Sequence, residues 1–407
     1  MRIALIFLGA LSLVTPGFAL SQEKYVGPTR YLDELKEAER LLATTDPIAQ
    51  KGQYGVYLQT LGVAQSRVGD VDGAINSFDK FQSTLNVPQE PAVDIDGLTA
   101  EDAIAAIINA ARKRQIVILN EGHNMPMHRA FAQKLSRELR KLGFSYLACE
   151  TFGESIADVA RIGVTWYSGY YTQDPVFGEF VREAHKSGWT LVPYETITDD
   201  VSELSHAERM KIRELGQAQN LVDRILTKDP TAKIFIFVGY GHARKAPKAK
   251  QEGLADMMAE YLRRLSGIDP LVIDQTKMYS HPEQAFELPP YRPIVQVFPR
   301  SEPFVLRTAD GGYRTIGYAE GMVDFVVVHP PYPLENGRPQ WLRTLAGRVA
   351  REIPAGLLPE SGRRVISVFR EEDSGDAVPV DVVLLEAGKP MPMLMLPGGK
   401  FRLTVEN

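Results

Sequence analysis

The stretch that most constrains the fold is Ile116-Val117-Ile118-Leu119-Asn120-Glu121-Gly122-His123. Four aliphatic side chains, three of them β-branched, form an unbroken apolar run and so predict a strand buried on both faces, as in a parallel sheet. The run stops at an acid, a glycine and a histidine, with His128 five residues beyond His123. In open α/β folds the carboxyl ends of parallel strands are where ligands bind, so titratable groups at such an end predict a site.

Further strands are predicted at 145–149, 189–194, 233–238 and 270–273, with helices between them. The helices are expected at Leu98–Arg114 with Thr99 as N-cap, at 127–142, up to about 187, at 206–227 and at 253–266. Ser205 and Glu208 have the spacing of a capping box at the start of the fourth. Strands alternating with helices imply right-handed crossovers and an α/β fold, a mostly parallel sheet flanked by helices. Each strand then ends in chemistry: Glu121 and His123, Cys149-Glu150, Tyr194-Glu195, Gly239-Tyr240-Gly241-His242, and Asp274. In a parallel sheet these groups emerge on one edge. On the helix at 206–227, Arg209, Arg213, Gln217 and Asn220 share a face. A guanidinium on such a face can reach a carboxylate with two parallel hydrogen bonds; Arg209 reads instead as a solvated charge.

Four segments are expected: a signal peptide at 1–21, a helical region at 22–90, the α/β unit at 91–290 and a strand-rich region at 291–407. Arg2, the apolar run Ile3–Val14, the break at Thr15-Pro16-Gly17 and the small residues Ala19 and Ser21 have a secretory layout, too short for a stable membrane span. Export to the periplasm or outside the cell follows. Tyr54 to Phe81, with a turn at Val68-Gly69-Asp70, resembles one tetratricopeptide-type hairpin. One copy cannot form a solenoid, so packing on the main unit competes with a peptide-binding groove. Asn86–Pro91 reads as a linker. Runs at Ile294–Phe298, Val323–Val328, Val365–Phe369 and Val380–Leu385 predict strands, and Pro397–Leu403 a hairpin turn. The net charge of −5 and the lack of a basic stripe argue against a nucleic-acid partner. Cys149 is the only cysteine, which excludes an intramolecular disulfide; next to Glu150 in an apolar strand, it reads as a small buried hydrophobe rather than a nucleophile.

Four motifs occur in order: Asn120-Glu121-Gly122-His123, Glu150, Arg213-Glu214-Leu215-Gly216-Gln217-Ala218-Gln219-Asn220 and Gly239-Tyr240-Gly241-His242. Over about 115–275 this resembles the erythromycin esterase, ChaN-like and Tiki superfamily, with Asn120 where a glycine is usual and Gln217 where a methionine is. His128 brings it nearest to the haem-binding ChaN-like branch. The resemblance implies an exported hydrolase acting on a small-molecule ester, lactone or amide. His123 would be the general base, Glu121 and Glu150 its carboxylate partner and a second acid/base group, and Arg213 and His242 the groups facing developing negative charge. His128, Glu195, Asn220 and Tyr240 would help bind substrate. Without a Gly-x-Ser-x-Gly elbow, serine hydrolysis is disfavoured. The alternative is a metal or haem site: His123, His128, Glu150 and His242 could ligate a divalent metal, for metal-dependent hydrolysis or for binding without catalysis, or a histidine or tyrosine could hold haem iron. Tyr167, Tyr170 and Tyr171 would line that pocket or simply pack. An exported scaffold that has lost activity is the third reading.

Overall fold

The computed structural model of the chain describes residues 31–83, 93–196, 204–249 and 254–407. The expected signal peptide and the linker at Asn86–Pro91 lie outside the described residues. Among the described residues three helices come first, α1 (Tyr31–Ala43), α2 (Lys51–Arg67) and α3 (Val71–Ser83). Then follow β1 (Thr99–Asp102), α4 (Ala103–Ala111), β2 (Ile116–Glu121), α5 (Pro126–Lys141), β3 (Tyr146–Cys149), α6 (Val159–Ile162), α7 (Pro175–Lys186) and β4 (Thr190–Pro193). The chain continues through α8 (His206–Leu221), β5 (Ile234–Gly239), α9 (Met258–Ser266), β6 (Leu271–Met278), α10 (Tyr291–Val297), β7 (Phe304–Arg307) and β8 (Phe325–Val328). Its last part holds β9 (Leu334–Glu335), β10 (Arg338–Pro339), α11 (Trp341–Thr344), β11 (Val349–Arg351), β12 (Arg363–Arg370), β13 (Asp381–Glu386), β14 (Leu394–Leu396) and β15 (Phe401–Glu406).

An eight-stranded sheet runs in the order β1-β7-β8-β6-β2-β5-β3-β4. The pairings from β8 to β4 are all parallel; β7 joins β8 antiparallel, and β1 joins β7 antiparallel. The fold is therefore the expected mostly parallel sheet flanked by helices, with a helical N-terminal part and a strand-rich C-terminal part. β2 lies at its centre because both of its faces are apolar. Val117 and Leu119 pack with α4, α5 and α7, while Ile116 and Ile118 pack under α8, α9 and α10. All four have no exposed surface, and each such burial is worth about 1.5–3 kcal/mol before entropy is charged.

α2 and α3 form the expected antiparallel hairpin. Gly62 lets them close up, since a Cβ there would lie 2.6 Å from the Phe78 ring. Its surroundings are not solvent: Val68 and Ala64 share a core with Tyr31, Leu32 and Leu35 of α1 and with Val365 and Val382 of β12 and β13.

Four expectations from the sequence need correction. Residues 99–102 pair with β7 as a strand, and the helix starts only at Ala103, capped by Asp102, which accepts from the Ala105 N–H over 2.8 Å. Asp102 satisfies an orphan amide that Thr99 is too far upstream to reach. Ile294–Phe298 lies in α10 and its C-cap rather than a strand; its apolar run buries Tyr291 and Ile294 on one helical face against the sheet. β6 does not end at Asp274 but runs on to Met278, so that carboxylate lies within a strand. The segment at 397–403 is not a hairpin turn between neighbours: β14 pairs with β11, and β15 with β12. Among the described residues, no helix is long and apolar enough to cross a membrane.

Candidate functional site at the carboxyl edge of the sheet

Register fixes where the strand ends meet. Glu121 stands beside Gly239 on the parallel β2–β5 pair, and Cys149 beside both Phe237 and Pro193. Glu150 therefore leaves β3 next to the end of β5, where the Gly239 N–H donates to its Oε2 over 2.6 Å. A Cβ at Gly239 would sit 2.7 Å from His123 Nε2 and 2.9 Å from Glu150 Oε2. Only glycine leaves room for the imidazole and the carboxylate to face each other across β5.

His123 is held on every side. Its Nδ1 lies 3.3 Å from Glu121 Oε1, its ring stacks on Tyr171 at 4.0 Å between centroids, and the Tyr240 ring stands edge-on at 5.1 Å. Tyr171 reaches this position because the loop after β3 folds back, its N–H donating to Thr151 Oγ1 over 2.8 Å. Tyr240 adopts φ +37°, a left-handed conformation costly for a side chain bearing Cβ. Two contacts hold it there: Asn120 Nδ2 donates to its carbonyl (3.0 Å) and the His123 N–H donates to its hydroxyl (3.3 Å). Asn120, standing where the resemblance expects glycine, is thus a strut between β2 and the turn after β5.

Behind Glu121 lies Arg129, 1 % exposed. It donates through Nε to Glu121 Oε2 (2.8 Å) and through Nη2 to the His123 carbonyl (2.7 Å), and pairs with Asp174 at 3.4 Å. Sequence reasoning missed Arg129. The available signal was an arginine embedded in the run Ala130-Phe131-Ala132 near the start of an amphipathic helix, where a charge is buried only if it is paired.

α8 supplies the other half. Arg213 Nη2 lies 2.5 Å from Glu150 Oε1 and 2.5 Å from Glu195 Oε2, its Nε donates to Glu195 Oε1 (3.1 Å), and its Nη1 lies 3.1 Å from His242 Nε2. Gln217 also donates to Glu195 (3.0 Å), and Asn220 ties the backbone carbonyls of Tyr194 and Glu195. His242 is fully buried, with Nδ1 2.5 Å from Glu214 Oε1, a close ion-pair contact out of hydrogen-bond alignment. Arginine cannot accept a hydrogen bond, so in the neutral ring His242 Nε2 presents its lone pair to Arg213 and the proton sits on Nδ1, toward Glu214.

Burial opposes the charged form of Glu150, yet the His242, Arg213 and His123 side chains and the Gly239 amide outweigh it and lower its pKa to about 2. Burial likewise pushes His242 down, but Glu214 and Glu150 together hold it above its ordinary value. Burial raises the Cys149 thiol well above the usual range, with the Glu121 charge adding to it, so the thiol is inert at neutral pH.

The structure thus brings together Glu121, His123, Glu150, Glu195, Arg213, Tyr240 and His242, with Asn220 bracing the loop that carries Glu195. It separates two residues from them. Asp274 accepts from Asn120, from Thr276 and from the Tyr318 hydroxyl, within the sheet. His128 points away, its Nδ1 accepting the Gly122 N–H at 3.0 Å. Arg209 donates to the nearby Leu204 carbonyl. Tyr167 and Tyr170 are more than half exposed, Tyr170 lying beneath the Arg67 guanidinium.

A divalent metal does not fit the donor set around Arg213. Glu150, Glu195 and the His242 lone pair converge on the Arg213 guanidinium, so a cation already occupies the point a metal would take. Among the described residues no group of three His, Cys, Asp or Glu side chains is placed to hold one.

No family model and no curated protein matches the chain. Solved structures that align with it are bacterial effector and toxin domains. The type III effector HopBA1 has 14 % identity and a TM-score of 0.28, over 47 % of this chain and 88 % of its own. RRSP, a MARTX toxin effector domain from Vibrio vulnificus, has 14 % identity and a TM-score of 0.30, over 60 % of this chain and 55 % of its own. A structure described as bacterial protein toxins has 15 % identity and a TM-score of 0.30, over 60 % and 56 %. The chain spans little more than half the length of the latter two, and at these scores the likeness carries neither fold nor function. The resemblance to the erythromycin esterase, ChaN-like and Tiki proteins is corrected: no family model and no curated protein of that kind matches, and the solved structures that align are effector and toxin domains.

Proposed function

We propose that this chain is a hydrolase that activates water against a small ester, lactone or amide, with His123 as general base. The observation that carries the reading is His123 itself: Nδ1 turned to a carboxylate, and Nε2 facing Glu150 across the space that Gly239 leaves open. Glu121, anchored by Arg129, keeps the Nδ1–H tautomer and leaves the Nε2 lone pair for a water proton. Glu150, charged throughout the neutral range, stabilises the imidazolium that results. Arg213 serves first as a positioning residue, locking Glu150 and Glu195, and its positive charge lies where a carbonyl oxygen gains negative character. The only thiol is buried and inert, so the reading involves no thioester intermediate.

The test uses p-nitrophenyl acetate and a γ-lactone as neutral probes, with and without chelator. Turnover should be indifferent to chelator and fall by about 10²-fold or more in His123→Ala. Equal turnover in His123→Ala, or none in the wild type with either probe, would sink the reading. We further propose that residues 1–21 direct export and are removed, on the strength of Arg2 and the apolar run behind it; N-terminal sequencing of the mature protein checks this.

A further inference from the structure

Glu121 is bracketed by two peptide groups pinned from behind. On one side Gln275 Nε2 donates to the Asn120 carbonyl over 2.7 Å; on the other the Gly122 N–H donates to His128 Nδ1 over 3.0 Å. Gln275 Nε2 also donates to the His128 carbonyl (3.2 Å), which closes the bracket into one unit, and His329 Nε2 lies 3.2 Å from Gln275 Oε1. His128 and His329 have no exposed surface, and their rings are 5.5 Å apart.

The donors fix the protons. A backbone N–H can only donate, so His128 Nδ1 must carry a lone pair and the ring proton must sit on Nε2. Both hydrogens of the Gln275 amide are spent on carbonyls, so its oxygen accepts from His329 Nε2–H. His128 is then a neutral imidazole protonated on Nε2, and His329 carries a proton on its own Nε2. An imidazolium at His128 would set N–H against N–H at Gly122 and release the peptide that joins Glu121 to His123.

We propose that His128, backed by Gln275 and His329, is a positioning residue: as a neutral hydrogen-bond acceptor it sets the Glu121–Gly122–His123 turn, and so aims the imidazole of His123. The inference rests on the hydrolase reading for the chemistry of that arm, and on the hydrogen bonds alone for its geometry. It explains why the two histidines are five residues apart. Five residues carry the chain round the Met125-Pro126 turn into α5, whose first turn then lies beneath Gly122. The charged and titratable groups against the His128 ring are His329 after β8, Arg129 on its own helix and Tyr279 after β6. Burial first, then His329 and Arg129, hold the His128 pKa well below its ordinary value; burial lowers that of His329 to about 3.

Ring 15N correlation spectra of the full chain, labelled at its seven histidines, read the tautomer directly. His128 should show a protonated Nε2 and a bare Nδ1, unchanged from pH 8 to pH 5. A proton on Nδ1, or titration within that range, overturns the proposal. His128→Asn keeps an acceptor near the Nδ1 position, whereas His128→Leu removes it. Amide exchange over the segment containing Gly122 should rise about tenfold or more in the Leu variant and stay within about threefold in the Asn variant. A folded Leu variant with unchanged Gly122 exchange, or an Asn variant as exposed there as the Leu variant, overturns the role. If the Leu variant does not fold, the tautomer and the Asn variant decide. No readout needs a substrate, so failure here is separable from failure of the hydrolase reading.

Discussion

Arg129 and Glu121 form an ion pair at 2.8 Å with side chains 1 % and 4 % exposed. A pair so far from water contributes little net stability, but breaking it leaves one charge stranded. Because Glu121 also faces His123, the pair couples the stability of the sheet edge to the orientation of the imidazole. This is why α5, which carries Arg129, belongs to the site.

Arg129→Met should destabilise the fold by about 3–5 kcal/mol, since it strands Glu121 and Asp174 in a dry interior. Urea denaturation checks this. Adding Glu121→Gln should recover part of the loss, and a purely additive double variant would show that the two side chains do not depend on each other.

Acid should erase the stabilising effect of Glu150. Its folded pKa, about 2, lies below the 4.5 of an unperturbed glutamate. The folded state therefore holds the proton less tightly than the unfolded state, and the benefit is complete above about pH 5. It is lost as pH falls from about 4.5 to 2. The stability gap between wild type and Glu150→Gln should narrow by up to about 3 kcal/mol over that window. A gap constant from pH 5 to pH 2 would contradict the lowered pKa.

Gly239→Ala tests the open space between imidazole and carboxylate. Its methyl would meet His123 Cε1 at 2.4 Å and Glu150 Oε2 at 2.9 Å, so both groups must move apart. Overpacking of this kind costs about 1–3 kcal/mol, and turnover of the probe esters should drop with it. Retention of full turnover would show that the face-to-face arrangement is not used.

Cys149 should resist thiol reagents in the native protein and react only on unfolding, because it has no exposed surface and a raised pKa. Rapid labelling of the folded chain by a disulfide reagent at pH 7 would show that β3 opens.

Much was legible from residue order. The run at 116–119 determined a strand buried on both faces, and alternation with helices determined a mostly parallel sheet. From these it follows that Glu121, His123, Glu150, Glu195 and His242 leave on one rim. Other features were decided only by tertiary structure. Periodicity cannot tell a strand from the first turn of a helix when a distant segment supplies the partner, so the pairing of 99–102 with 304–307 was hidden. Nor does spacing show which groups turn inward: Asp274 is spent within the sheet, and His128 turns its lone pair back to Gly122. Arg129, eight residues past the end of β2 and on the opposite flank from α8, became part of the site only once α5 packed against the sheet. Position along the chain sets which edge a side chain leaves from; where its charge is neutralised depends on partners that only the packed fold brings within about 3 Å.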